Sequence, residues 1–168
     1  VSTTAVEKVV LARDLIATSD STIDSRPILK TLAAEYPTTW TFAVDGLVGA
    51  TPELLVRLSR GMVTSRVLAG TISKTGKDEK DLALAASLAR SSKDLEEHEY
   101  AVRSVATALD PFCSSTNVPE SPYVLHLANV MHLATDVTGA LIESKQHIDA
   151  FSLLQALHPS AAVCGTPR

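Results

Sequence analysis

The sequence predicts an α+β fold in which antiparallel strands and helices occupy separate stretches of the chain. Residues 40–44, 53–58 and 62–68 are rich in β-branched and apolar side chains, and turns that contain glycine separate them. Residues 78–108 instead place apolar side chains three, four and seven positions apart, as on helices. Strands followed by helices in this way are typical of α+β architecture.

The first part of the chain adds one strand and one helix. Residues 6–17 alternate loosely around a Val-Val pair, which predicts a strand with Lys8 near its start. Ser25, followed by Arg-Pro, predicts the cap of a short surface helix. The apolar spacing of this helix ends near residues 36–37, where a proline follows a tyrosine.

The three β-rich segments that follow are expected to form an antiparallel meander. Its tight turns are predicted at Asp45-Gly46, Gly49 and Arg60-Gly61. The helical stretch after it fits two helices, or one helix broken near Ser91-Ser92.

The last third of the chain returns to strands. Residues 114–122 are predicted to be a loop, and residues 123–127 and 130–137 are predicted to be strands that Gly139 ends. Residues 152–157 are predicted to form a brief helix, after which the chain is rich in turn residues.

Composition narrows the class of protein. A chain of 168 residues fits one domain or part of one, and 15 basic against 19 acidic residues disfavour nucleic acid as a partner. No apolar run approaches the roughly 20 residues that span a bilayer, and no signal peptide is evident, so we expect a cytoplasmic protein without a membrane partner. Cys113 and Cys164 have no metal-type spacing and are expected to be free thiols.

Two side chains are candidates for acid–base chemistry. Lys8 projects from the predicted strand, and a lysine in an apolar setting can accept a proton from water; an ordinary lysine at a strand edge is the other interpretation. Glu53 follows Thr-Pro and precedes two leucines, a setting that favours the neutral acid. A solvated surface glutamate would have the same neighbours in sequence.

Three further residues are candidates for contact with a ligand. Gly70 and Thr71 offer a backbone that a ligand can approach and a hydroxyl donor, although a simple turn would contain the same pair. His132 lies in an apolar strand, where a histidine is either a buried core residue or a functional one.

A pair of carboxylates in the second predicted helix suits a divalent cation. Asp94 and Glu97 lie three positions apart and reach one helix face, whereas Glu96 and Glu99 point elsewhere. Carboxylate oxygens are preferred ligands of Mg²⁺. A solvated helix face gives a similar pattern.

The order of these motifs resembles that of isochorismate synthases, a branch of the chorismate-utilising enzymes. The similar blocks are KVVLAR at 8–13, GATPE at 49–53, LAGT at 68–71, SKDLEEHE at 92–99, HLAT at 132–135 and LHPSAAVCGTP at 157–167. They span almost the whole chain. The resemblance implies the chorismate-binding fold of anthranilate synthase component I, a large antiparallel β-sheet core with outer helices.

The resemblance also implies roles for single residues. Lys8 would activate the water that attacks C2 of chorismate, since relatives that use ammonia generally carry glutamine there, and Glu53 would protonate the departing C4 hydroxyl. Glu97, assisted by Asp94, would hold Mg²⁺ against the substrate carboxylate. The substrate pocket would include Gly70, Thr71, His132, Ala162 and Gly165.

Residues 1–168 are therefore predicted to form a partial chorismate-binding domain, because relatives continue with further metal-binding glutamates, a carboxylate-binding arginine and a lysine. The expected activity is Mg²⁺-dependent isomerisation of chorismate to isochorismate for menaquinone or siderophore biosynthesis. Salicylate synthase is the alternative within the family. A catalytically inactive fragment, completed by the missing remainder of its own domain, is the alternative outside enzymes.

Overall fold

The computed structural model describes residue 9, residues 11–143 and residues 148–164. The helices are α1 (Ser25–Glu35), α2 (Asp78–Leu88), α3 (Ser92–Leu109) and α4 (Ala150–Leu157), and a 3₁₀ turn occupies Asp110–Phe112. The strands are β1 (Trp40–Val44), β2 (Leu47–Thr51), β3 (Leu54–Ser59), β4 (Met62–Ser73), β5 (Cys113–Asn117), β6 (Tyr123–His126) and β7 (Val130–Leu141).

All strand pairs in the described ranges are antiparallel, and they form two sheets. β1 and β2 form a hairpin of their own, against which α1 packs. The second sheet has the order β3-β4-β7-β5, and β6 also pairs with β7. The predicted α+β class is confirmed, with β4 and β7 as the long central strands.

The main core lies between the larger sheet and helices α3 and α4. Val63, Val67 and Val137 of the sheet pack with Val102, Val105 and Leu109 of α3 and with Leu153 and Leu157 of α4. A smaller cluster joins α2 to β7 through Ala85, Leu88, Met131 and Leu133. Burying one such Leu or Met side chain contributes about 1.5–3 kcal/mol, so this packing fixes α3 on the sheet.

Two predicted turns are present. Asp45 and Gly46 have φ angles of 47° and 86°, and Arg60 and Gly61 have φ angles of 50° and 74°. Two consecutive positive φ angles are the geometry of a tight hairpin turn. The predicted break between α2 and α3 is confirmed too, because α3 begins at Ser92. No helix in the described part of the chain has the length and apolar character needed to cross a membrane.

Two predictions for the first part of the chain are wrong. Residues 11–17 lie in no helix or strand and are exposed, because no described strand supplies the backbone partner that a strand requires; Lys8 lies outside the described residues. The cap of α1 is Asp24 rather than Ser25, since the Asp24 carboxylate accepts a hydrogen bond from the Arg26 amide.

Three predicted turns or loops are strand instead. Gly49 lies inside β2, where it leaves room for the ring of Phe42. Residues 114–117 of the predicted loop belong to β5, which pairs with the end of β7. Gly139 does not end β7, because this pairing with β5 continues the strand to Leu141. Strand pairing overrides local turn preference in each case, with the neighbouring β1 for Gly49 and between distant segments for β5 and the end of β7.

We expect Gly139→Ala to destabilise the full-length protein by about 1–3 kcal/mol, the usual cost of overpacking. A Cβ atom at this position would lie 2.6 Å from Sγ of Cys113 and 3.2 Å from the backbone oxygen of Ser115. Urea denaturation measures the change. In a double-mutant cycle, Cys113→Ala should relieve part of the cost; fully additive effects would contradict this origin.

Candidate active site

The centre of the candidate site is a bulge in β4 at Gly70. The register between β4 and β7 shifts there, so Ala69 pairs with Leu133 and Thr71 pairs with His132. Gly70 has a φ angle of 75°, which favours glycine. A Cβ atom on Gly70 would lie 3.0 Å from Cβ of Asp94, so α3 packs closely against the bulge.

The bulge places Thr71 beside His132. Oγ1 of Thr71 lies 2.9 Å from Nδ1 of His132, and the histidine is half-buried. Burial lowers the pKa of His132, although the backbone of Gly70 opposes this in part. Neutral imidazole carries one donor and one acceptor nitrogen, so this pair can offer a hydrogen bond to a polar ligand.

The first two turns of α3 hold the predicted carboxylate pair. Ser91 caps the helix by accepting a hydrogen bond from the Asp94 amide, and its hydroxyl donates to the Asp94 carboxylate. Asp94 and Glu97 are half-buried, whereas Glu96 and Glu99 are exposed, as the helical spacing predicts. Within the described ranges, no three His, Cys, Asp or Glu side chains form a metal-binding group.

Glu53 lies directly before β3 and is half-buried. Its backbone amide donates to Oγ1 of Thr51, which fixes the bend at the intervening proline. Burial raises the pKa of the Glu53 carboxyl, and the backbone of Leu68 in β4 opposes this effect. A carboxyl group with a raised pKa keeps its proton closer to neutral pH, as a general acid requires.

Two small grooves meet at the segment before Glu53. One, of about 190 Å³, is lined by Thr51, Glu53, Leu55, His158, Ser160 and Val163. The other, of about 260 Å³, is lined by nine residues that include Pro52, Tyr36 and His132. The consecutive residues Pro52 and Glu53 therefore line different grooves, and His132 lines the same groove as Pro52.

The structure brings some of the predicted site residues together, and others lie elsewhere or outside the described residues. Gly70 contacts Asp94, and Thr71 contacts His132. Ala162 is exposed in a turn that begins near Ser160, and its amide donates to Oγ of that serine. Gly165 and Lys8 lie outside the described residues. The catalytic and binding roles of these residues stay predictions.

One residue of the site was not predicted. His98 is 2% exposed, and its Nε2 lies 2.7 Å from Oγ1 of Thr135 in β7. Burial lowers the pKa of His98, and the backbone of Ala69 opposes this in part. The signal in the sequence is its position in the apolar stripe of α3, three, four and seven residues before Ala101, Val102 and Val105.

Comparison with known proteins agrees with the resemblance of the motifs. The profile of the family described as chorismate binding enzyme matches residues 1–168. Isochorismate synthase MenF of Bacillus subtilis (strain 168) is 36% identical over 166 residues, which are 96% of this chain and 35% of that protein. The chain therefore spans well under half the length of this curated relative.

Two solved structures share the fold. DhbC from Bacillus anthracis, which carries the description 2,3-dihydroxybenzoate-specific isochorismate synthase, is 37% identical with a TM-score of 0.76 over 88% of this chain and 41% of that chain. Anthranilate synthase component I from Streptococcus pneumoniae TIGR4 is 26% identical with a TM-score of 0.71 over 89% and 33%. The predicted chorismate-binding fold is confirmed. Because the family match runs from the first residue to the last and the fold is shared as well, the chain belongs to the chorismate binding enzyme family.

Proposed function

We propose that the protein that carries this chain is an isochorismate synthase, which isomerises chorismate to isochorismate. The observation that carries the proposal is Glu53, a half-buried residue that lines a groove and whose pKa burial raises. The backbone that opposes this rise belongs to Leu68, in the strand that also bears Gly70 and Thr71. Family membership supplies chorismate as the substrate class. The names of the relatives support isochorismate as the product.

In this proposal, two residues move protons. Water loses a proton to Lys8 as its oxygen bonds to C2 of chorismate. The C4–O bond breaks as Glu53 donates its proton, so that one water molecule enters and one leaves. Each step needs a proton carrier within hydrogen-bond reach of the reacting atom. The product would supply menaquinone or siderophore biosynthesis.

The donor set of α3 fits Mg²⁺. Asp94 and Glu97 supply hard carboxylate oxygens on one half-buried helix face, and Mg²⁺ usually takes one or two protein carboxylates and keeps water or substrate oxygens as its other ligands. Ser91 orients the Asp94 carboxylate by donating a hydrogen bond to it. A bound Mg²⁺ would neutralise the charge of a substrate carboxylate. The Gly70 bulge would bring the backbone of β4 close to the same place.

Replacing either proton carrier tests the proposal. In the full-length protein, Lys8→Ala and Glu53→Gln should each reduce kcat by about 10²- to 10⁴-fold, the usual contribution of general acid or base catalysis. Glu99→Gln is the matched control for the glutamate, because Glu99 is exposed on α3. Chorismate turnover, with isochorismate, salicylate and pyruvate separated by chromatography, gives the result. Near-normal turnover in either variant contradicts its role, and salicylate with pyruvate as the product contradicts the proposed reaction.

The raised pKa of Glu53 predicts a dependence of stability on pH. The folded protein holds this proton to higher pH than the unfolded chain, because burial disfavours the charged carboxylate. The resulting stability is fully present below the pKa of the unfolded state and is lost as pH rises through the pKa of the folded state. Urea denaturation should therefore show wild type losing stability relative to Glu53→Gln over that interval. A difference that does not change with pH contradicts the prediction.

Glu97→Gln tests the metal ligand. Loss of one charged ligand should weaken Mg²⁺ binding by at least about tenfold, since residues that only orient a ligand are themselves worth roughly 10- to 100-fold. Glu96→Gln, at an exposed neighbouring position, should change stability by less than about 0.5 kcal/mol and leave Mg²⁺ binding unaltered. Titration calorimetry with MgCl₂ measures both. Equal affinities in the two variants, or undiminished turnover in excess chelator, contradict the assignment.

A further inference from the structure

His98 lies where α3 meets the two central strands. Its side chain is 2% exposed, although it stands between two acidic residues in the sequence. Nε2 lies 2.7 Å from Oγ1 of Thr135, which is also buried and pairs with Val67 across the sheet. The contact therefore joins α3 to β7 inside the core, 37 positions away along the chain.

The other ring nitrogen, Nδ1, is buried without a hydrogen-bond partner. The backbone of Ala69, the residue immediately before the Gly70 bulge, lies close enough to raise the pKa of His98. No other buried side-chain nitrogen or oxygen in the described ranges lacks a partner. A buried polar atom without a partner costs stability, so packing alone does not favour a histidine here.

The position of His98 on α3 connects it to the carboxylate pair. His98 follows Asp94 by four residues, which places both side chains on one stripe of the helix, and it is the next residue after Glu97. Asp94 in turn packs against the bulge, since a Cβ atom added to Gly70 would lie 3.0 Å from Cβ of Asp94. A rotation or shift of α3 would move the carboxylates away from the bulge and would break the contact with Thr135.

We propose that His98 is a positioning residue that, through Thr135 on β7, fixes the rotation of α3 and so holds Asp94 and Glu97 toward the Gly70 bulge. This inference rests on the proposed function, because it assigns a use to the carboxylate pair as Mg²⁺ ligands. Groups that orient metal ligands without touching the metal typically contribute 10- to 100-fold in metal affinity.

Two variants of Thr135 distinguish a positioning role of His98 from a purely structural one. Thr135→Val keeps nearly the same shape and removes the group that meets Nε2, whereas Thr135→Ser keeps the hydroxyl and removes a methyl group. A purely structural role for His98 predicts that the two variants bind Mg²⁺ equally well. A positioning role predicts that only the serine variant keeps wild-type Mg²⁺ affinity.

The experiment uses the full-length protein and MgCl₂ alone as the probe, measured by titration calorimetry. Thr135→Val and His98→Leu should weaken Mg²⁺ binding by about 10- to 100-fold, and Thr135→Ser should stay within about threefold of wild type. At saturating Mg²⁺, kcat of Thr135→Val should recover most of its wild-type value. Val105→Ala is the control, because it removes buried atoms from the same helix seven residues away. It should leave Mg²⁺ affinity unchanged.

Equal Mg²⁺ affinity in Thr135→Val and Thr135→Ser overturns the proposal, as does a loss in kcat that saturating Mg²⁺ does not restore. If His98→Leu does not fold, the Mg²⁺ affinities of the two Thr135 variants test the proposal instead. Wild-type protein that binds no Mg²⁺ overturns this inference together with the metal assignment. Wild-type protein that binds Mg²⁺ but makes a product other than isochorismate overturns the proposed function alone, and the affinities of the Thr135 variants still decide the role of His98.

Discussion

The antiparallel pairing of β4 with β7 is the constraint on which the rest of the structure depends. It runs from Met62–Ser73 on one strand to Val130–Leu141 on the other, and one bulge at Gly70 interrupts it. Helices α3 and α4 pack on one face of these strands, and the register between the strands places Thr71 beside His132. A shift by one residue would send every side chain of a strand to the opposite face, so the buried face fixes the site as well.

Burial and ion pairing have opposite effects on ionisable groups in and next to this sheet. Glu53 and His132 lose water without gaining a full charge partner, so burial raises the pKa of the first and lowers that of the second, and both favour their neutral forms. Asp136 instead faces Arg66 at 2.7 Å across the same strands, and this hydrogen-bonded guanidinium holds the pKa of Asp136 below its usual range. Burial thus acts on Glu53 and His132, which flank the stretch of β4 that ends in the bulge, whereas an ion pair fixes Asp136 and Arg66 farther along the same strands.

Local sequence predicted the structure correctly where an element depends only on its own residues, as helices and tight turns do. Helical spacing predicted α2, α3 and the break between them, and glycine after Asp45 and Arg60 predicted two hairpin turns. Local sequence did not predict β5, which is a strand because distant β7 supplies its hydrogen bonds. It wrongly predicted a strand at residues 11–17, for which none of the described strands supplies such bonds. A strand, unlike a helix, cannot satisfy its backbone within its own segment.

The sequence by itself determined which groups are available: a carboxyl in an apolar setting at Glu53, two carboxylates at helical spacing, and motifs whose order is that of the family. Only the tertiary structure decided that Gly70 is a bulge against α3, that Thr71 meets His132, and that His98 enters the core beside β7. The last two contacts join residues 61 and 37 positions apart. Their distances depend on strand register and helix docking, which arise from the whole core and are not encoded in the spacing of any single segment.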